Sequence, residues 1–337
     1  MIRRPGVAAG IALLTLLLAV VAAFTLGRYP VAPADLLRLV WSALTGGAHG
    51  VTPTVETVIL SVRGPRVLAA LAVGGALAAA GGAYQSLFRN PLVSPDLLGV
   101  SAGAAVGAVL GIFLSQPVAV IQLGAFAGGL LAVGLVYAVA RLVRSHDPLL
   151  VLVLAGVVIG SLLGALIALL KYLADPYNQL PAITFWLLGS LASIAPVDLA
   201  STLPAFALGL ALLWLVRWRI NVLAQGDEEA RALGVSTGRV RAVVVAGATL
   251  ITAAAVSISG IVGWIGLLVP HFARFLVGPD FSRLLPVSVL LGAAFLLGVD
   301  TLARTVARVE IPLGVLTAFV GTPLFLWQLI VARRSWL

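Results

Sequence analysis

The chain contains no cysteine. Disulfides, thiolate metal sites and cysteine nucleophiles are therefore excluded, and nothing follows about redox compartment. Lysine occurs once, at Lys171, and no G-x-x-x-x-G-K-[ST] phosphate loop is present, so the chain is not expected to hydrolyse ATP itself. Charge is scarce: 10% of the 337 residues are Asp, Glu, Lys or Arg. No His/Asp/Glu cluster has ligand spacing and no catalytic constellation emerges, so no metal site and no catalytic residue is expected. What fills the chain instead is apolar, 61% of residues with a mean hydropathy of +1.14, far beyond a water-soluble domain. The composition is that of a polytopic membrane protein. Its net charge of +9 comes from twenty arginines and one lysine against twelve acids, which in such a chain is first a topology signal and does not imply nucleic acid.

Runs long enough to cross about 30 Å of hydrocarbon fall near 7–27, 64–87, 95–114, 118–141, 149–171, 198–217, 240–259, 262–277, 285–303 and 312–332. The apolar start after Met1-Ile2-Arg3-Arg4 exceeds a usual signal core and is followed by further spans, so it reads as a retained first helix. The expectation is an all-α fold of about ten transmembrane helices in one membrane-spanning domain, 1–337. An even number puts both termini on one side. With the N-terminus inside, the inner segments hold Arg3, Arg4, Arg89, Arg141, Arg144, Arg217, Arg219, Arg231, Arg239, Arg241, Arg274, Arg283, Arg333 and Arg334, fourteen of the twenty-one basic residues, so both termini and the 218–239 loop are expected to be cytoplasmic. The longest outer segment, 28–63, carries an amphipathic run from Ala34 to Trp41 that reads as a helix lying at the interface. Glycine recurs at every fourth position in two spans, Gly103, Gly107, Gly111 and Gly156, Gly160, Gly164, giving each a bare face suited to close packing.

The inner loop is the most informative polar stretch. Asp227, Glu228 and Glu229 place negative charge at the start of a short helix, Asp227 can pair with Arg231 one turn on, and Gly234 supplies a left-handed stop. Ser236 or Thr237 then caps the next span. The spacing alone fits either a solvated loop or a rigid handle for a soluble partner.

Two long stretches carry a resemblance. One runs from Arg63-Gly-Pro-Arg66 through Gly74-Gly75 and Gly81 to Arg89-Asn90-Pro91-Leu92, Pro95-Asp96, Gly99, Ser101 and Gly103; the other runs from Gly260 through Gly263, Gly266, Pro270-His271 and Arg274. With Phe185-Trp186, Gly189-Ser190, Gly226 to Gly234 and Glu310-Ile-Pro312 to Pro323, they make the chain resemble the permease family of iron-chelate, haem and cobalamin ABC importers of type II, over nearly its whole length. The resemblance implies a permease that dimerises with a second copy of itself in the bacterial inner membrane. It implies two ATP-binding subunits, which would bind ATP and Mg, below it, and a periplasmic or lipoprotein substrate-binding protein above.

By the same resemblance, Asp227, Glu228, Glu229, Arg231, Ala232, Leu233, Gly234 and Val235 form the ATPase-docking element, and the Asn90-Pro91 loop is a second inner contact. Arg63, Arg66 and Arg304 match the outer arginines that receive carboxylates of the binding protein, where bidentate guanidinium chemistry is apt; the other reading is that they snorkel to headgroups. The fifth and tenth spans would line the path, with Gly156, Gly160 and Gly164 leaving room and Pro148, Leu149, Leu150 and Val151 at its inner gate. Lys171, Tyr172, Tyr177, Asn178, Gln179 and Trp186 gather at the outer mouth, where they either meet a chelate or form an aromatic belt. His271 reads as a helix-end or core residue. The expected cargo is an iron–siderophore, with haem, cobalamin or a molybdate-type oxyanion as alternatives. An ion-gradient-driven carrier is the competing class. Against it, the acids fall in loops or near span ends, Asp300 being the deepest.

Overall fold

A computed structural model describes residues 5–47, 50–143 and 148–333, so Arg3, Arg4, Arg144 and Arg334 of the topology argument lie outside the described residues. The described chain is helical throughout, with no strand. Each of the ten apolar runs holds a helix: α1 (Pro5–Thr25), α4 (Gly64–Leu87), α5 (Val100–Phe113), α6 (Val118–Leu142), α7 (Pro148–Leu173), α9 (Pro196–Leu223), α11 (Thr237–Ser259), α12 (Ile265–Val277), α13 (Phe281–Thr305) and α14 (Leu313–Arg333). Shorter helices are α2 (Pro33–Thr45), α3 (Pro53–Thr57), α8 (Gln179–Leu188) and α10 (Asp227–Ala232). Among the described residues, seven helices are long and apolar enough to cross a membrane.

Helix α4 is the axis of the bundle. It packs on α13, α11, α12 and α9, and with α3 and a π-helical stretch, Val58–Arg63, it forms one continuous helix from Pro53 to Leu87. Its apolar window is 83% buried, against 17% for α1 and α7, which ring the outside. A helix can be this central only if its neighbours come close, and glycine and alanine supply the room. Gly74 meets Gly292 of α13, Gly81 meets the Gly266 carbonyl of α12, and a Cβ at either would lie within 3.0 Å of backbone on the facing helix.

The two glycine faces that the sequence treats alike part company here. In α5, Gly103, Gly107 and Gly111 all seat against α6, on Gly128, Gly124 and Ile121. In α7, only Gly156 lacks room for a side chain, since a Cβ there would strike the Leu97 carbonyl; a Cβ at Gly160 or Gly164 would meet nothing within 4 Å.

Helices α5 and α12 are short because each begins inside the bundle. The sequence places spans at 95–114 and 262–277, but the first residues of each are not α-helix. Residues Pro95–Leu98 form a 3-10 turn ended by Gly99 at φ +76°, and residues 260–264 run irregularly through Gly260 at φ +67° and Trp264 at φ +71° before α12 starts. Proline lacks the donor a helix needs and the positive φ values stop propagation. Both breaks sit deep: Gly266 lies against Leu77, near the middle of α4, and against the Pro95 ring, while the turn rests on Gly156 and Gly160 of α7. A third break, Gly189 after α8, joins them, since Ser190 N–H donates to the Ser259 carbonyl at 2.8 Å and Leu313 N–H to the Gly189 carbonyl at 2.9 Å. Irregular backbone at membrane depth is tolerated only when buried in protein or lining a cavity, so these breaks mark where the bundle is specialised.

Helix α2 forms where the amphipathic run predicts it, with Pro33 in its first turn and Gly46 at φ +71° at its end. Its apolar side, with Leu36 and Leu39, roofs a cleft of about 660 Å³ bounded by Ile59, Leu60, Leu68, Leu199 and Leu203.

Candidate functional site

At one end of the bundle, α10 is strapped across the junction of α9 and α11. Three acids open it, complementing the exposed N–H groups of its first turn. It closes with Gly234 at φ +75°, Gly234 N–H donating to the Arg231 carbonyl and Val235 N–H to the Ala230 carbonyl, both at 2.9 Å. That is a Schellman ending, and its accompanying apolar contact is present, Ala230 and Val235 both being buried. Asp227 does not pair with Arg231. Its carboxylate instead takes Arg241 of α11 at 2.6 Å, because the turn after Gly234 brings α11 back beside the start of α10. Ser236 occupies the cap position of α11 without a side-chain hydrogen bond, so neither Ser236 nor Thr237 caps in the expected sense. The helix is therefore anchored at both ends while Leu233 stays exposed. At this end Asn221 of α9 donates to Asp280 at 2.7 Å, and Asp280 caps α13 through Ser282 N–H. Partial burial pushes the Asp280 carboxyl up, but the Asn221 amide, Ser282 and Arg283 outweigh that and hold it below its ordinary range. Asn90 Oδ1 accepts Leu92 N–H, which makes the Asn90-Pro91 segment a tight turn.

At the opposite end, Arg63, Arg66 and Arg304 converge, but as internal groups. Arg63 donates to the Phe24 carbonyl and, at 2.6 Å, to that of Tyr29; Arg304 donates to the Ala23 carbonyl at 2.6 Å and that of Leu26 at 3.2 Å. Two guanidinium groups thus satisfy the carbonyls that α1 leaves free at its C-terminus, where a cation is electrostatically favoured. Arg66 lies between Asp300 at 2.9 Å and Glu310 at 3.0 Å. Arg63 and Arg304 are buried, and Asp300 is fully so. Most donors of these three guanidinium groups are turned to partners within the chain, although Arg304 Nε has no hydrogen-bond partner. Reversing Arg63 and Arg66 would therefore disturb folding as well as any docking. Arg28 and Arg308 at this end face solvent, with Arg28 donating to the Arg308 carbonyl, and so does Arg38 on α2, paired with Asp35.

Along α7, Leu150 is exposed and Leu149 and Val151 are half-buried; the Pro148 side chain lies outside what is described. Tyr172 and Tyr177 are 84% and 86% exposed near the far end of α7. Trp186 does not join them. It packs inward against Ala104, Ala108, Ala125 and Val256, and Gln179 is tied to the Phe113 carbonyl at 2.8 Å, so the mouth cluster is looser than its sequence proximity implies. His271 lies on α12 with its ring edge-on to Phe275 and no hydrogen-bond partner on either nitrogen. Gly99 to Gly103 spells G-x-S-x-G, and its Ser101 donates to the Asp96 carboxylate.

These features meet the comparisons with known proteins at the level of the whole chain. Residues 14–331 match the FecCD transport family. The chain belongs to that family. A metal-chelate type ABC transporter in an inward-facing conformation superposes with a TM-score of 0.87 at 35% identity, covering 97% of this chain and 99% of that one. The molybdate import system permease protein MolB of Haemophilus influenzae is 38% identical over 93% of this chain and 92% of its own length. The cobalamin import system permease protein BtuC of Halobacterium salinarum is 41% identical over 86% and 79%, and the hemin transport system permease protein HmuU of Yersinia pestis 40% identical over 88% and 89%. This FecCD-family chain is a multi-pass permease of an ABC importer.

Proposed function

We propose that this permease is the membrane subunit of an ATP-driven importer of a bulky metal chelate, working as a dimer of identical chains in the bacterial inner membrane. Iron–siderophore is the first reading of the cargo; the relatives named for molybdate, cobalamin and hemin keep those classes in play. ATP and Mg belong to two partner ATP-binding subunits, and a substrate-binding protein delivers the cargo to the outer end. In this orientation both termini and α10 are cytoplasmic, and α7 and α14 line the path, which the unfilled surface at Gly160 and Gly164 supports. The solvent-facing Arg28 and Arg308 are available to an acidic partner outside.

The observation that carries the proposal is α10. A six-residue helix has no stability of its own in water, yet this one is held by a Schellman ending, a salt bridge to α11 and a buried Ala230, with an exposed outer side. Such a part transmits force to whatever grips it.

Gly234→Val tests that role. A Cβ there meets nothing within 4 Å, so the only cost is the positive φ, about 1–2 kcal/mol and local. The variant should insert and fold normally in vesicles but lose ATP-driven uptake or hydrolyse ATP without transport. Full ATP-driven uptake by Gly234→Val would remove α10 as the coupling element. Uptake that follows an ion gradient and ignores ATP would replace the importer by a secondary carrier.

A further inference from the structure

The sequence places no acid deep in the bundle other than Asp300, but the fold does. Asp96 lies in the 3-10 turn between α4 and α5, and it lines a recess of about 230 Å³ with Ser94, Ser101, Thr252, Gly263 and Trp264. The recess is at mid-depth, since Leu77 in the middle of α4 also borders it. It stands between the two helices assigned to the path: the turn rests on Gly156 of α7, and the Trp264 side chain sits against Gly321 of α14. Asp96 keeps solvent-accessible surface in the single chain, yet its carboxyl is closely surrounded by protein atoms. Its partners are the hydroxyls of Ser101 and Ser94, and no cation pairs with it among the described residues.

We propose that Asp96 gives this recess a cation-favouring charge selectivity, so that the path admits cargo presenting cationic or hydrogen-bond-donating groups and disfavours oxyanions. The proposal rests on the reading of α7 and α14 as path-lining. Hydroxyl donors orient a carboxylate without supplying a countercharge, whereas the arginine-end carboxylates are each matched by a guanidinium. A dimer would present two such charges to one cargo. Since a polyanion would be repelled from both, the carboxylate separates the cargo classes that the relatives leave open. Trp264, a bulky residue at φ +71°, borders the same recess, and backbone strain of that kind is retained where the surroundings enforce it.

The absence of native cysteine makes the test direct. Gly263 borders the recess and has open space where a Cβ would stand, so Gly263→Cys places a thiol beside Asp96 at little steric cost. Ser94→Cys is the second reporter should the first fold poorly. In membranes opened to both sides, the thiol is labelled with a trimethylammonium-bearing and a sulfonate-bearing methanethiosulfonate reagent of matched size. The ratio of cationic to anionic labelling rates should fall roughly tenfold when Asp96→Asn is added, the effect of one unit charge a few ångströms away in a partly aqueous recess. Asp96→Glu should retain the ratio. An unchanged ratio in Asp96→Asn overturns the proposal. So does failure of both reporters to react while Tyr172→Cys, at an 84% exposed position, reacts normally. Labelling needs neither cargo nor ATPase, so these failures are separate from loss of the importer reading, which rests on ATP-driven uptake.

Discussion

Replacing Asp300 with alanine should cost the folded permease about 3–5 kcal/mol, the usual penalty for breaking a buried pair from one side. Asp300 is fully buried and faces Arg66 at 2.9 Å and Arg304 at 3.5 Å. Without it, two guanidinium groups remain enclosed with a single carboxylate, Glu310, in reach of one of them. The damage should spread along α1, because Arg304 also holds the carbonyls of Ala23 and Leu26. Unfolding of the purified protein in detergent, followed by helical signal against a denaturant series, measures the loss. Changing Arg66 to methionine together with Asp300 to leucine should recover part of it, since apolar replacement of a whole buried pair is far milder than orphaning one member. A loss below about 1 kcal/mol in Asp300→Ala would mean that water reaches the cluster and that the arginines are free to serve an outside partner after all.

Adding a single methyl group at Gly81 should be comparably destructive. Its Cβ would fall within 3.0 Å of the Gly266 backbone of α12, and backbone cannot rotate away as a side chain can. Overpacking typically costs 1–3 kcal/mol when side chains absorb it, so about 3 kcal/mol or more is expected here. Gly82, the next residue, is the internal control. A Cβ there meets the Pro270 ring at 3.6 Å and the Ser288 hydroxyl at 3.8 Å, ordinary contact distances, and alanine is the better helix former by up to about 1 kcal/mol. Gly82→Ala should therefore match or exceed the parent in recovery of monodisperse protein and in thermal midpoint, while Gly81→Ala falls well short on both. Equal behaviour of the two variants would show that α4 and α12 are not in close contact.

The sequence by itself determined what depends on local composition and spacing. Ten apolar runs became ten helices, Gly234 became a left-handed stop, and the run around Leu36 and Leu39 became an amphipathic helix, because hydropathy, glycine's freedom at positive φ and helical periodicity act over a few residues. Tertiary structure alone decided which partner each charged or small residue found. Asp227 chose Arg241 over Arg231, the arginines at 63, 66 and 304 turned inward to α1, Asp300 and Glu310, and the glycine face of α5 was filled while much of that of α7 stayed open. Depth was likewise invisible from spacing. Asp96 follows a proline at the very start of what reads as the third span, yet the turn that holds it folds back to the middle of α4. A partner hundreds of residues away in the chain is selected by packing geometry and by the need to satisfy every polar group that lipid cannot, and neither leaves a local signature in the sequence.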